Sequence, residues 1–169
     1  MNIQRYTNYK LPEWKYIPGY NTHPSKMPKV RHIPELPVNL LNFSYLNWEN
    51  SESYLYAIDL FNKQYYWELH EVLEKLWIET GKHTQEGVFL KGIIQLSVAL
   101  LKKIQNNSNG VLRLTEKAIP KINSQSGVYL GIDINDFIER YYLFVNEETD
   151  IEPIIYLQIN NLDLSVSLV

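Results

Sequence analysis

The chain has 169 residues, 45% hydrophobic and 21% charged, which is typical of one globular domain and excludes a disordered or fibrous protein. It has no cysteine, so disulfides, thiolate metal sites and cysteine nucleophiles are excluded, and we expect a cytoplasmic location. With a net charge of −3 and no long apolar run, we expect neither a dedicated nucleic-acid partner nor a membrane.

Residues 1–48 predict an extended arm. Six of the eight prolines lie between residues 12 and 37, and proline disfavours helix both at its own position and at the residue before it. This region holds six Lys/Arg and two Asp/Glu, whereas the other 121 residues hold ten and seventeen. We therefore expect a basic arm that packs on an acidic body or on a second copy in a homo-oligomer.

Residues 49–169 predict a single all-α domain, a compact bundle of about five helices. The apolar periodicity gives helices over 49–63 and 65–79, a long third helix capped by Thr84, a fourth that Pro120 ends near Ile119, and a fifth over 135–146. The third helix is the most apolar, so we expect it at the centre of the bundle. Asp133 is the expected N-cap of the fifth helix. The alternating Leu162, Leu164, Val166 and Leu168 predict a short extended C-terminal tail.

The second predicted helix carries a polar pair in an aromatic frame. At about 100° per residue, Glu74 lies about 40° from His70, with Trp67 and Trp77 on either side. The same arithmetic puts Leu69, Leu73 and Leu76 on the core side. It puts Glu68, Glu71 and Lys75 on the solvent side, where Glu71 and Lys75 are expected to pair.

Three interpretations of this pair remain open. In a structural one, Glu74 accepts a hydrogen bond from His70, and the pair reaches Gln95 of the third helix. In a metal one, His70 and Glu74 are two ligands of one divalent ion, and a third comes from His83, His23 or another acid. In an acid–base one, Glu74 acts with His70 on an organic substrate.

Three segments, in order, resemble the bacterial and archaeal domain-of-unknown-function family 309. The first is Phe61-Asn62, Tyr66, His70-Glu71, Glu74 and Trp77, similar to that family's HxxxExxW motif. The second is residues 89–96 (FLKGIIQL), and the third is residues 107–111 (NSNGV) with Leu114. Gln64, Lys91 and Val111 depart from the family pattern. The resemblance implies an all-helical fold and a metal role for the His/Glu motif, without a settled activity.

The leading hypothesis is a metal-binding or small-ligand-binding helical protein centred on His70 and Glu74, with hydrolysis as its chemistry and a divalent transition metal as its cofactor. The expected supporting residues are Trp67, Glu71, Trp77 and Gln95. The alternative is a non-catalytic interaction or oligomerisation module in which the pair is structural. No phosphate loop or serine nucleophile elbow is recognised, so the sequence assigns no catalytic residue. His83 and His32 are expected at the surface.

Overall fold

The computed structural model describes residues 3–27, 32–37 and 42–159. Five α-helices form a bundle within these ranges, which confirms the predicted all-α class. They are α1 (Glu52–Asn62), α2 (Tyr66–Thr80), α3 (Gln85–Ile104), α4 (Ser108–Ile122) and α5 (Ile134–Val145). Single 3-10 turns lie at Pro24–Lys26 and Trp48–Asn50. None of the helices in the described part of the chain has the length and apolar character needed to cross a membrane.

Side-chain caps set the helix starts. The Thr84 hydroxyl accepts a hydrogen bond from the Gly87 amide at 3.0 Å, and the Asp133 carboxylate accepts one from the Asp136 amide at 3.2 Å. Both predicted caps are therefore confirmed, each satisfying an amide that has no partner within its helix. The helix α2 ends just before Gly81, whose backbone has φ +97°, a value that residues with an L side chain rarely adopt.

The prediction that Pro120 ends α4 near Ile119 is wrong, because the helix continues to Ile122. Proline removes one intrahelical hydrogen bond, the one to the carbonyl four residues earlier. Here that loss falls in the last turn, and Ala118 and Ile122 on either side of Pro120 are fully buried. Packing of these two side chains offsets the lost bond.

The core is centred on α3, which packs between α2 and α4. The apolar stripe of α3 runs from Phe89 through Ile93, Leu96 and Leu100 to Ile104; the first four are fully buried, whereas Ile104 is 38% exposed. Two fully buried tyrosines of α1 have their hydroxyl groups bonded to distant backbone. The Tyr54 hydroxyl donates to the Leu130 carbonyl at 2.7 Å, and the Tyr56 hydroxyl donates to the Lys10 carbonyl at 3.0 Å. Such bonds let polar-tipped rings occupy a core.

A small antiparallel hairpin, β1 (Val128–Tyr129) and β2 (Ile132–Asp133), precedes α5. Its turn residues Leu130 and Gly131 both have positive φ, +48° and +76°. A C-terminal segment joins the hairpin, since Leu157 bridges Ile132 and the Leu157 amide donates to the Tyr6 hydroxyl at 2.8 Å. The predicted alternating residues Leu162, Leu164, Val166 and Leu168 lie outside the described residues.

The N-terminal arm is bonded to α1 through Asp59. This carboxylate is fully buried and accepts hydrogen bonds from the Tyr6 amide at 2.7 Å, the Thr7 amide at 3.0 Å and the Arg5 guanidinium at 3.3 Å. Further along, the Tyr65 hydroxyl donates to the Pro12 carbonyl at 3.1 Å. These bonds lead the arm over α1 and onto the start of α2.

Candidate metal centre

One face of α2 brings three metal-ligating side chains together. The ligand atoms of His70, Glu71 and Glu74 all lie within 4.8 Å of one another, and the three residues are half-buried. No other group of three or more such residues occurs within residues 3–27, 32–37 and 42–159. The helix places Glu74 one turn after His70, and Glu71 reaches the pair from the adjacent position.

The polar contacts of this group differ from those predicted. Between described residues, the hydrogen bond of the His70 ring is to Glu71, with Nδ1 and Oε1 3.3 Å apart, rather than to Glu74. Glu71 thus contacts His70 instead of forming the predicted direct pair with Lys75. The pKa of Glu71 is lowered, chiefly by the hydrogen bond to His70. Burial opposes this effect, and the charges of His70, His23 and Lys75 add to it.

The spacing of the three ligand atoms is slightly wider than a bound divalent ion requires. Imidazole nitrogen and carboxylate oxygen bind such ions at about 2.0–2.2 Å, so two ligands of one ion lie at most about 4.4 Å apart. The spacing within 4.8 Å comes within a small side-chain rotation of that limit. Three protein donors with the remaining positions open to solvent are typical of catalytic rather than closed structural sites. Mixed nitrogen and oxygen donors suit first-row transition metals.

The arm covers the N-terminal side of this group through Trp67. The Trp67 ring lies edge-on to Tyr16, with centroids 4.9 Å apart, and edge-on to His23, with centroids 5.2 Å apart. Nδ1 of His23 accepts a hydrogen bond from the Ser25 amide at 3.2 Å. His23 therefore lies near the centre but outside the three-residue group.

The third residue of the group is Glu71, which the sequence predicts as a supporting residue. His83 is exposed in the loop after α2 and is not part of the group. A signal for Glu71 existed in the sequence, since it directly follows His70, but helical angles alone place it on the solvent side. Neighbouring side chains on a helix can still bend toward each other when one is long and the other is an imidazole.

Trp77 forms the opposite side. Its ring is contacted by two lysine ammonium groups, Nζ of Lys91 at 4.1 Å and Nζ of Lys82 at 5.0 Å from the centroid. The indole Nε1 of Trp77 and Oε1 of Gln95 are both buried without a hydrogen-bond partner among the described residues. Gln95 lies one turn beyond Lys91 on α3 and is half-buried.

A buried pair next to the centre was missed. The predictions that Glu68 faces solvent and that His32 lies at the surface are wrong, because Glu68 is fully buried and His32 is 8% exposed. Oε1 of Glu68 lies 2.6 Å from Nε2 of His32 and accepts the Tyr16 amide at 2.7 Å. Trp14 packs on the His32 ring with centroids 4.5 Å apart. The opposite charges of the arm and the body predict that the two pack together, but they do not indicate that Glu68 pairs with His32.

Comparison with known proteins gives one match. A family model described as "Domain of unknown function (DUF309)" matches residues 54–114, a segment that runs from α1 into α4 and includes the candidate metal centre. No curated protein and no solved structure matches the chain. The match confirms the resemblance carried by the motifs of α2, α3 and α4.

Proposed function

We propose that this protein binds a divalent transition-metal ion through His70, Glu71 and Glu74 and acts on a small ligand at that ion, with hydrolysis as the chemistry. The observation that carries the proposal is the spacing of the three donor atoms, all within 4.8 Å of one another on one helix. When bound, the ion would supply Lewis acidity and a water of lowered pKa.

The residues around the donors have distinct tasks in this proposal. In this proposal His70 Nδ1 donates to the Glu71 carboxylate, which orients the imidazole and leaves its Nε2 for the ion, and the same contact lowers the pKa of Glu71. Trp67 and Trp77 limit the access of water from either end of the site, and the arm residues Tyr16 and His23 support Trp67. The absence of cysteine and the acidic net charge support a cytoplasmic location without nucleic-acid binding.

Elemental analysis of untagged protein tests the proposal. We expect about one equivalent of a transition metal per chain, lost in His70→Ala and retained in the control His83→Ala, whose histidine is exposed and outside the group. Both variants should keep the circular dichroism spectrum of the unmodified protein, because His70 and His83 lie outside the buried core. Protein that carries no metal, even after dialysis against zinc or manganese, would refute the proposal.

The interaction-module alternative has an observation of its own. A surface cavity of about 410 Å³ between the start of α4 and the end of α5 is lined in part by Leu112 and Tyr142, which are 58% and 38% exposed. Light scattering separates the hypotheses. On the module hypothesis the protein is oligomeric, deleting residues 1–37 or introducing Leu112→Asp lowers the mass, and Glu74→Gln changes only the melting temperature.

A further inference from the structure

Two lysines share one aromatic ring beside the candidate metal centre. Nζ of Lys91 and Nζ of Lys82 lie 4.1 Å and 5.0 Å from the Trp77 ring centroid. Trp77 follows Glu74 by three residues on α2, so it lies on the same face, about 4.5 Å further along the helix axis. The lysines therefore border the metal-binding face at its C-terminal side.

These lysines lack the partners that such cations usually have. Neither Lys82 nor Lys91 makes an ion pair with a carboxylate among the described residues, and Trp77 is the group each contacts. Lys91 is half-buried and Lys82 is exposed. An aromatic face attracts a cation but carries no net charge, so the Trp77 ring does not neutralise the two ammonium groups. Such a position attracts oxyanions.

A neighbouring surface of α2, which shares Glu71 with the candidate centre, carries both acidic and basic side chains. A cavity of about 420 Å³ there is lined by Glu71, Lys75 and Glu79, with arm residues 33–37 forming its other wall. Lys75 shares that cavity with two carboxylates, whereas Lys82 and Lys91 contact the Trp77 ring. A ligand at the metal centre would therefore be oriented with its anionic end toward Lys82 and Lys91.

We propose that the ligand of this site carries an oxyanion, a phosphate or a carboxylate, which Lys91 and Lys82 bind beside Trp77. This inference rests on the proposed metal function, because the centre at His70, Glu71 and Glu74 holds the other part of the ligand. Lysine binds oxyanions as a compact, flexible point charge, which suits a group that approaches from solvent.

Calorimetric titration of the full chain with phenylphosphonate and with benzoate tests the inference. These probes share an aromatic group and differ in the oxyanion, so the one that binds more tightly identifies phosphate or carboxylate as the preferred source. The titrations are run with and without Mn²⁺. The variants are Lys91→Met, Lys82→Met and the control Lys117→Met, an exposed lysine of α4. Methionine keeps an unbranched side chain over the ring and removes the charge.

We expect Lys91→Met and Lys82→Met each to weaken binding of the preferred probe by about tenfold, while Lys117→Met leaves it unchanged. Mn²⁺ affinity should change less than about twofold in all three variants, since none removes a donor. Equal probe affinity in all three variants, with Mn²⁺ binding intact, would overturn the inference alone and leave the lysines as partners of the α2 C-terminus. Absence of Mn²⁺ binding with lysine-dependent probe binding would overturn the metal proposal and keep the oxyanion site.

Discussion

Two acids in this protein, the fully buried Asp59 and the half-buried Glu152, have opposite surroundings. The Asp59 carboxylate accepts hydrogen bonds from the Arg5, Tyr6 and Thr7 segment of the arm and is fully satisfied. Oε2 of Glu152 is buried and has no hydrogen-bond partner among the described residues. Burial raises the pKa of Glu152, and the charge of Lys15 only partly opposes that rise. Glu152 therefore opposes folding when it is ionised.

We predict that Glu152→Gln stabilises the protein at neutral pH. Because the folded-state pKa of Glu152 lies above its unfolded value, the folded state binds more protons between these two values. Its contribution is thus most favourable below the unfolded pKa and is lost as pH rises through the folded pKa. Thermal melts should show a melting temperature higher by about 2–4 °C in the variant at pH 7, with the difference shrinking toward pH 4.

The exposed Glu148 provides the control for this measurement, since Glu148→Gln should shift the melting temperature little at either pH. A melting temperature that Glu152→Gln lowers at pH 7 would mean that this carboxylate has a stabilising partner when ionised.

At the scale of elements, the hairpin before α5 depends on close contact between a turn and a ring. A Cβ added at Gly131 would lie 2.3 Å from Cη2 of Trp48 and 2.7 Å from its Cζ2. Trp48 is itself 6% exposed and packs edge-on to Tyr54, with centroids 5.9 Å apart, so it has little room to move. Gly127 also has positive φ, +64°, but nothing lies within 4 Å of the corresponding position.

We predict that Gly131→Ala lowers the free energy of unfolding by about 3 kcal/mol, the sum of left-handed strain and overpacking. Gly127→Ala carries only the backbone strain and should cost about 1 kcal/mol. Urea denaturation with equal m-values measures both. Equal losses in the two variants would show that Trp48 moves aside without cost.

Helices and caps were predictable because their signals are local. The apolar stripe of α3 and the capping residues Thr84 and Asp133 are read from neighbouring positions, and the structure confirms both caps and the stripe as far as Leu100. The continuation of α4 past Pro120 was not predictable, since it depends on tertiary burial of Ala118 and Ile122. The hairpin was not predictable either. Its turn places Leu130 at positive φ, a conformation that a bulky residue other than glycine rarely adopts, so the sequence gives no turn signal there.

The same distinction applies to the candidate site. The placement of His70 and Glu74 on one face follows from helix geometry, and the structure puts their ligand atoms together. The burial of Glu68 could not be predicted, because its partners His32 and Tyr16 belong to an arm without periodicity. A helical wheel shows which way a side chain points but not which distant segment covers it.

On the scale of the whole molecule, the arm and the body meet at Glu68. This fully buried carboxylate holds two separate parts of the arm, the Tyr16 amide at 2.7 Å and the His32 ring at 2.6 Å. Trp67 is the preceding residue on α2. It packs against Tyr16 and His23 of the arm beside the candidate metal centre. Loosening the arm at Glu68 therefore also removes support from one side of the site.

We predict that His32→Ala increases the rate of tryptic cleavage after Lys15 by at least about tenfold, because it leaves the buried Glu68 carboxylate with one fewer partner. Lys15 is otherwise held by a hydrogen bond to Gln64 at 2.7 Å. Mass spectrometry of timed digests measures the rate, with His83→Ala as the matched histidine control. Similar rates in the two variants would show that Glu68 is not what holds the arm.

The bond between the Leu157 amide and the Tyr6 hydroxyl joins positions 151 residues apart in the chain. During synthesis Tyr6 leaves the ribosome long before Leu157 exists, and at the usual rates of translation the interval is roughly 10–30 seconds. The helices that carry the candidate metal centre are made within that interval. The nascent chain thus presents α2, with His70, Glu71 and Glu74, before the N-terminal arm can make its contact with Leu157.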